Sequence, residues 1–252
     1  NLFVNDYLKI VQAYCNSLFL LKFFTMKTSL PFIILVISIV SCNDSTNKDA
    51  NISEVNETDN VLTIAQSIAF KSGFNKFEQL DQIDFTFNVD RGESHFERSW
   101  QWMPKKNDVI YIVGKDTISY NRMSVDSTTA QYDSAFINDK YWLLAPFNLV
   151  WDEGSTFSNA VKAKAPLSGD EVNMLTITYG EEGGYTPGDA YDLYYGDDFM
   201  LQEWVFRKGN DSVPTMTTTW EDYKDYNGVK IATMHNDSLN DFKLYFTGIK
   251  VN

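Results

Sequence analysis

The chain has 252 residues, a formal net charge of −13 and an aromatic content of 15%. The excess of negative charge repels phosphate backbones and anionic headgroups, so we expect no nucleic-acid partner. The two cysteines, Cys15 and Cys42, precede the segment that has the patterning of a folded domain. A disulfide within that domain is therefore excluded, and we expect its stability to come from an apolar core.

Residues 26–41 have the pattern of a signal peptide that ends just before a cysteine. Met26 and Lys27 form a short basic start, and the apolar run "LPFIILVISIV" from Leu30 is too short for a stable membrane span. The letters "IVSC", ending at Cys42, resemble the lipobox of bacterial lipoproteins. The resemblance implies a lipid on Cys42 that anchors the protein in a membrane. The alternative is an ordinary secretory signal with an incidental cysteine.

The regions around this leader have different expected roles. Residues 1–25 contain no methionine, and we interpret them as an upstream segment outside the translated protein, with Met26 as the start. Residues 42–58 are polar and lack aromatic side chains, which predicts a flexible tether. Residues 59–252 are expected to form one β-rich domain. This organisation places the protein in the envelope of a Gram-negative-type bacterium, and we expect the outer membrane, with the domain in the periplasm or at the surface.

The domain begins with a helical pattern and continues with strands. Asp59 or Asn60 can cap a helix that ends at Gly73, and a second helical turn is expected between Asn75 and Leu80. From Ile83 onward the apolar residues recur with a period of two, which predicts antiparallel strands. The predicted strands are residues 83–89, 96–102, 109–113, 117–120, 174–179, two strands around 196–198, then 215–223, 229–235 and 242–251.

A helical insertion interrupts the strands. We expect Asn138 and Asp139 to cap the apolar segment "KYWLLAPFNLVW", with a break at Pro146. Two interpretations of this segment are open. It forms either a movable lid over a ligand, released at Gly154, or an ordinary core helix.

The order of helix, antiparallel strands and helical insertion is similar to that of the LolA/LolB lipoprotein carriers. The resemblance depends on "FERSWQWMPKKNDVIYIVGKDTISYN" and on the later hairpin turn at Asn227 and Gly228. The residues that match the pattern of the first stretch are Trp100, Trp102, Pro104, Tyr111, Gly114, Lys115 and Tyr120. The resemblance implies a mainly β (α+β) fold, a curved and incompletely closed antiparallel β-barrel with helices covering its concave face. It also implies a cavity for acyl chains, no catalytic residues and no cofactor.

Aromatic side chains on strands and on the insertion are the candidate ligand-binding residues. They are Trp100, Trp102, Tyr111, Trp142, Phe147, Trp151, Trp204 and Phe206. They line an apolar cavity or fill an ordinary core. The first interpretation predicts a monomeric envelope lipoprotein that is not an enzyme and that binds a lipid or the acyl chains of a lipoprotein. The alternatives are an interaction or scaffold lipoprotein with no small ligand and, last, an envelope hydrolase.

Catalytic and metal-binding patterns are weak. His95 follows Ser94, and His235 ends a predicted strand, so a Ser-His-Asp arrangement is formally possible, but we expect both histidines to be partly exposed strand-end residues. The acidic side chains in "GDAYDLYYGDD" have oxygen ligands of the kind that calcium prefers. They are Asp189, Asp192, Asp197 and Asp198. Their spacing matches no EF-hand, so we predict no catalytic residue and no metal site.

Overall fold

The computed structural model describes residues 62–239 and 241–252. The predicted leader, Cys42 and the tether lie outside the described residues. Within them, no helix combines the length and the hydrophobicity that a membrane-spanning helix needs.

Two α-helices and a succession of short and long strands make up the described part of the chain. Helix α1 is Ile64–Lys71, helix α2 is Ala130–Trp151, and a 3₁₀ helix occupies Phe74–Gln79. The first strands are β1 Ile83–Arg91, β2 Ser94–Met103, β3 Asp108–Val113 and β4 Asp116–Asn121. After α2 come β5 Ser155–Phe157, β6 Val161–Lys164, β7 Glu171–Tyr179, β8 Ala190–Tyr195 and β9 Leu201–Arg207. The last are β10 Met216–Thr219, β11 Lys224–Tyr226, β12 Val229–Ile231, β13 Met234–Asn236 and β14 Phe242–Val251.

The strands form two larger antiparallel sheets and a hairpin. The first sheet has the order β13-β14-β1-β2-β3-β4, the second has the order β10-β9-β8-β7-β5, and β6 also pairs with β7. Strands β11 and β12 pair with each other and turn at Asn227 and Gly228, as predicted. The mainly β, antiparallel fold class is confirmed.

The two larger sheets meet at one side and stay apart at the other. A bridge between Glu221, just after β10, and Met234 on β13 joins them. The opposite edges are β4 and β5, and helix α2 is the connection between these two strands. The result is a curved sheet that does not close, with α2 on its concave side.

Helix α1 begins later than predicted. Its N-cap is Thr63, whose hydroxyl accepts a hydrogen bond from the Gln66 backbone N–H, while the Gln66 side chain accepts one from the Thr63 N–H. This capping box satisfies two backbone donors at once, which explains why the helix begins here and not beside Asp59 or Asn60. The helix ends as predicted, with Gly73 at φ +95°.

Helix α2 is longer than predicted and sharply bent. It begins at Ala130 and has 22 residues, so Asn138 and Asp139 lie inside it and do not cap it. Leu144, two residues before Pro146, has non-helical dihedral angles of φ −131° and ψ 31°. On a straight helix residues 136 and 151 would be about 22 Å apart. Both Phe136 and Trp151 nevertheless contact the Trp102 ring, at 5.4 and 6.5 Å between ring centroids, so the two segments of α2 fold toward each other.

One predicted strand is divided in the structure, a second is shortened, and the short strands β5 and β6 were not predicted. Residues 229–235 split into β12 and β13 because β12 pairs with β11 whereas β13 pairs with β14, so the chain changes partners at Ala232 and Thr233. Residues 215–223 reduce to β10, which ends at Thr219, although the Trp220 backbone N–H still donates to the Gln202 carbonyl of β9. Strands β5 and β6 are too short to show an alternating pattern.

Candidate functional site: the aromatic concave face and helix α2

The concave face of the first sheet has an aromatic surface that includes the charged side chain of Arg98. Phe85 and Phe87 on β1 lie opposite Trp100 and Arg98 on β2, and Trp102 follows on the same face. The phenylalanine and tryptophan side chains are buried. Side chains two apart on a strand share a face, so the predicted alternation of β1 and β2 is confirmed here.

Helix α2 is attached to this face through an ion pair. Both the Nε and an Nη atom of Arg98 lie 2.6 Å from the two carboxylate oxygens of Asp139, and the Asp139 side chain is fully buried. The Trp100 indole N–H donates to the same carboxylate at 2.7 Å. The Arg98 guanidinium also lies over the Phe87 and Phe96 rings, 5.4 and 5.3 Å from their centroids. The sequence pattern predicts Asp139 as a helix cap and does not indicate this pair.

A set of rings, which we call the aromatic path, leads from the surface to the concave face. Its members are Phe70, Phe74, Phe77, Trp102, Phe147 and Trp151. Phe70 is 38% exposed and contacts Phe74, which contacts Phe147 and Trp151 at 5.5 and 6.0 Å. Trp151 continues the contacts to Phe77 and to the buried Trp102. Phe74, Phe77 and Trp151 are only half-buried, so the path combines accessible and buried aromatic surface.

A lysine of α2 lies against the aromatic path. The Lys140 Nζ is 4.8 Å from the centroid of the Trp151 ring, a distance at which cation–π attraction acts. Burial of the amine, with a smaller effect of the nearby Arg122 guanidinium, lowers the pKa of Lys140 to about 8. The path therefore has beside it an amine that is mostly protonated at neutral pH but loses its proton more readily than an ordinary lysine.

A second aromatic set occupies the concave side of the second sheet. Trp204 on β9 contacts Tyr141 and Trp142 of helix α2 and Tyr191 of β8, with ring centroids 4.5 to 5.8 Å apart. Phe206 joins this set through Tyr191 at 5.0 Å. This set contacts the first segment of α2, whereas the aromatic path contacts mainly the second segment.

The eight predicted ligand-binding residues differ in how deeply their side chains are buried. Trp100, Trp102, Phe147, Trp142 and Trp204 are buried, while Tyr111, Trp151 and Phe206 are half-buried. The rings of Trp100 and Trp102 share a contact with Phe136, and Tyr111 contacts Trp100. Residues 141–149 of α2 are buried without interruption, so the structure places the proposed lid segment in the core.

The prediction for His235 is wrong. Its side chain is fully buried, with its ring 4.5 Å from Trp220 and 5.3 Å from Trp142 between centroids. Burial lowers the pKa of His235 to about 3. The histidine was expected at the end of a strand, but it is the central residue of β13, and Trp220 and α2 cover it. The residues next to it in sequence do not indicate these contacts with distant segments. Its spacing from the buried Val229 and Ile231 is the signal that could have indicated a buried position.

His95 is exposed on β2, as predicted. Its Nδ1 lies 2.6 Å from the Asp90 carboxylate and its Nε2 lies 3.6 Å from Glu97. The Asp90 contact, and more weakly Glu97, raise the pKa of His95. An acidic side chain thus faces each ring nitrogen, whereas a catalytic triad places a serine hydroxyl at one of them. The geometry of His95 does not support the hydrolase alternative.

The aspartates considered as calcium ligands have separate roles. Asp192 pairs with Arg207, Asp197 pairs with Lys162, and Asp189 accepts a hydrogen bond from the Gly209 backbone N–H. Asp198 accepts the Met200 N–H in the β8–β9 turn. Among residues 62–239 and 241–252, no group of histidine, cysteine and acidic side chains has the arrangement of a metal site.

Comparison with known proteins yields similar structures but no sequence match. No protein-family model and no curated protein matches the chain. A LolA superfamily protein from Nitrosomonas europaea has 14% identity and a TM-score of 0.43, covering 76% of this chain and 94% of its own. A DUF1329 family protein from Desulfovibrio piger has 8% identity and a TM-score of 0.39, with coverages of 75% and 93%.

A third similar structure is a domain described as that of an outer membrane lipoprotein-sorting protein from Vibrio parahaemolyticus. It has 10% identity and a TM-score of 0.39, and the match covers 75% of this chain and 91% of that domain. The family that the sequence resembles is thus represented among the similar structures. At such identities the likeness concerns the fold alone, so no residue role is transferred to this chain.

Proposed function

We propose that the domain binds an apolar ligand, the acyl chain of a lipid or of a lipoprotein, along the aromatic path. The observation that supports this proposal is the continuity of the path from Phe70 at the surface to Trp102 inside. Ligand sites are concave and mainly apolar, with a few polar groups that orient the ligand. The aromatic path offers such an apolar surface, because its half-buried rings are still partly in contact with water. An acyl chain bound against these rings would remove this apolar surface from water, which is favourable.

We also propose that the protein is a lipid-anchored envelope protein and not an enzyme. The basis for the anchor is the lipobox-like sequence at Cys42. The basis for a non-enzymatic role is His95, whose two ring nitrogens face Asp90 and Glu97 instead of a serine hydroxyl. Removing the thiol by Cys42→Ala should abolish acyl labelling and membrane fractionation while leaving the folded domain in solution. A Cys42→Ala protein that stays in the membrane fraction with its leader uncleaved would contradict the anchor. This test is independent of ligand binding.

The binding test uses the full chain carrying Cys42→Ala and the fluorescent apolar probe N-phenyl-1-naphthylamine, with palmitic acid as competitor. We expect saturable binding that palmitic acid displaces. Trp151→Ala and Phe77→Ala each remove an aromatic face from the path. Each should weaken binding by about tenfold, since a large apolar side chain contributes roughly 1.5 to 3 kcal/mol when it is fully covered.

Phe157→Ala is the matched control. Phe157 lies on β5, is 40% exposed and is not a member of the aromatic path. Its removal deletes a similar amount of exposed aromatic surface and should leave probe affinity unchanged. Equal effects of Phe157→Ala and Trp151→Ala would show that the probe binds nonspecifically, and the absence of probe binding to the parent protein would exclude the proposed function.

A further inference from the structure

Buried polar atoms collect at one place in the core, separate from the aromatic path. We call Trp204, Thr218, Trp220 and His235 the polar cluster. Their side chains are at most 4% exposed. Among the described residues no hydrogen-bond partner faces the Nε1 of Trp204 or Trp220, the Oγ1 of Thr218 or the Nε2 of His235. A buried polar group without a partner costs about 1 to 3 kcal/mol, so such a concentration needs an explanation.

These side chains are direct neighbours. The ring centroids of Trp204 and Trp220 are 5.1 Å apart, and those of Trp220 and His235 are 4.5 Å apart. Thr218 on β10 lies directly opposite Trp204 on β9 in the antiparallel register, so both point to the same side of the sheet. Trp142 of helix α2 contacts both Trp204 and His235. The unpartnered polar atoms therefore belong to side chains that contact one another within one part of the core.

The protonation of His235 defines the chemistry of the cluster. Its Nδ1 lies 3.0 Å from the Thr219 carbonyl oxygen. A carbonyl oxygen only accepts, so Nδ1 carries the proton and donates. The imidazole is neutral at physiological pH because burial lowers its pKa. Its Nε2 is then a hydrogen-bond acceptor.

The remaining atoms complete a mixed set of donors and acceptors. Each indole N–H only donates, and the Thr218 hydroxyl can donate or accept. A carboxylate or phosphate only accepts hydrogen bonds and would place negative charge against the Nε2 lone pair. An ammonium group only donates, so it could not accept from the indole N–H groups. A ketone or ester carbonyl would leave Nε2 without a donor. A hydroxyl group accepts from the indoles and donates to Nε2, so it fits the set.

We propose that the polar cluster binds a neutral hydroxyl group, supplied either by water or by a hydroxylated apolar ligand. If the hydroxyl belongs to a ligand, the proposal rests on the proposed function, because that ligand would enter as an apolar molecule. If the hydroxyl belongs to water, the proposal is independent of the proposed function. In both cases the hydroxyl donates to the His235 Nε2 and accepts from the indole N–H groups of Trp204 and Trp220.

The experiment is nuclear magnetic resonance of the ¹⁵N-labelled full chain carrying Cys42→Ala, with decane and 1-decanol as probes. Rotating-frame Overhauser contacts from the Trp204 and Trp220 indole protons to water identify a water hydroxyl. Contacts to the carbinol protons of 1-decanol, with loss of the water contacts, identify a ligand hydroxyl. If the indole protons contact neither water nor 1-decanol, the proposal is wrong.

Variants supply a second measurement. Trp220→Phe keeps an aromatic ring at the position but removes the indole N–H donor. If a ligand hydroxyl is bound, this variant should lower the affinity for 1-decanol relative to decane by about twofold to tenfold, the range expected for the loss of one hydrogen bond. Phe157→Ala, at an exposed position of β5 outside both the aromatic path and the polar cluster, should leave this ratio unchanged. If decane does not bind, the proposed function fails, while indole contacts to water would still support the cluster. If decane binds and the indole protons contact neither hydroxyl, only the cluster proposal fails.

Discussion

Arg98 and Asp139, which are 41 positions apart in the sequence, form a bidentate ion pair with both N–O distances at 2.6 Å. Strand β2 contributes the guanidinium and helix α2 contributes the carboxylate, which is fully buried. Buried charges are stable only when they are paired and hydrogen-bonded, and the Trp100 N–H supplies a further hydrogen bond to Asp139. This pair fixes the first segment of α2 on the concave face.

Breaking the pair should destabilise the domain strongly. Asp139→Asn leaves the nearly buried Arg98 charge without its counterion, and we expect a loss of about 3 to 5 kcal/mol in the free energy of unfolding. The double variant Arg98→Met with Asp139→Leu should cost less than either single substitution. Urea denaturation measures both. Asp197→Asn breaks the exposed pair with Lys162 and serves as control, with an expected loss of at most about 1 kcal/mol. Equal losses for Asp139→Asn and Asp197→Asn would contradict this role.

Gly73 is required by both its backbone angle and its surroundings. Its φ is +95°, and a Cβ atom built there would come 2.0 Å from the carbonyl oxygen of Gly228. We expect Gly73→Ala to cost about 3 to 5 kcal/mol, because strain in the left-handed region adds to a clash with backbone. Gly114 has φ +59°, and the position that its Cβ would take has no described atom within 4 Å beyond the adjacent residues, so Gly114→Ala should cost only about 1 to 2 kcal/mol. Thermal unfolding compares the two, and equal shifts would show that the contact with Gly228 is unimportant.

The two histidines should affect stability in opposite directions as the pH changes. The pKa of His235 is about 3 in the folded protein and 6.5 as the ordinary value. Between these values the unfolded chain binds the proton and the folded one does not, so stability falls as pH decreases. From pH 7 to pH 5 this contribution is about 2 kcal/mol. His235→Gln should reduce the loss of stability over this interval by that amount.

His95→Gln is the control for this measurement. The folded pKa of His95 is raised, so its contribution to stability is present below its ordinary pKa and is lost as pH rises through the folded value. His95→Gln should therefore slightly steepen the loss of stability on acidification, whereas His235→Gln reduces it. Urea midpoints at pH 7 and pH 5 for both variants give the comparison. An unchanged pH dependence in His235→Gln would contradict the burial of a neutral imidazole.

The central aromatic residues of α2 should behave as core. Trp142 is 5% exposed and Phe147 is 1% exposed. Replacing either by alanine should cost about 3 to 5 kcal/mol, the usual loss for a large buried aromatic side chain. Phe157→Ala, at an exposed position, should stay within about 0.5 kcal/mol. Small losses for Trp142→Ala and Phe147→Ala would instead favour the lid interpretation of this segment.

The strands and their faces could be predicted from the sequence where the pattern is local. Phe85 and Phe87 alternate with polar residues, and Arg98, Trp100 and Trp102 share one face, because a strand turns successive side chains to opposite sides. The hairpin turn at Asn227 and Gly228 was likewise evident, since both residues tolerate positive φ. These features depend on neighbours within a few positions.

The sequence by itself determined an antiparallel, mainly β domain with an aromatic interior. Other features depend on contacts between segments that are distant in the sequence. Only the tertiary structure decided that Asp139 pairs with Arg98, that α2 bends back at Leu144, and that His235 is buried. The physical reason is that a polar side chain is buried only where folding supplies partners from distant parts of the sequence. An alternation of apolar and polar residues, in contrast, is visible in consecutive residues.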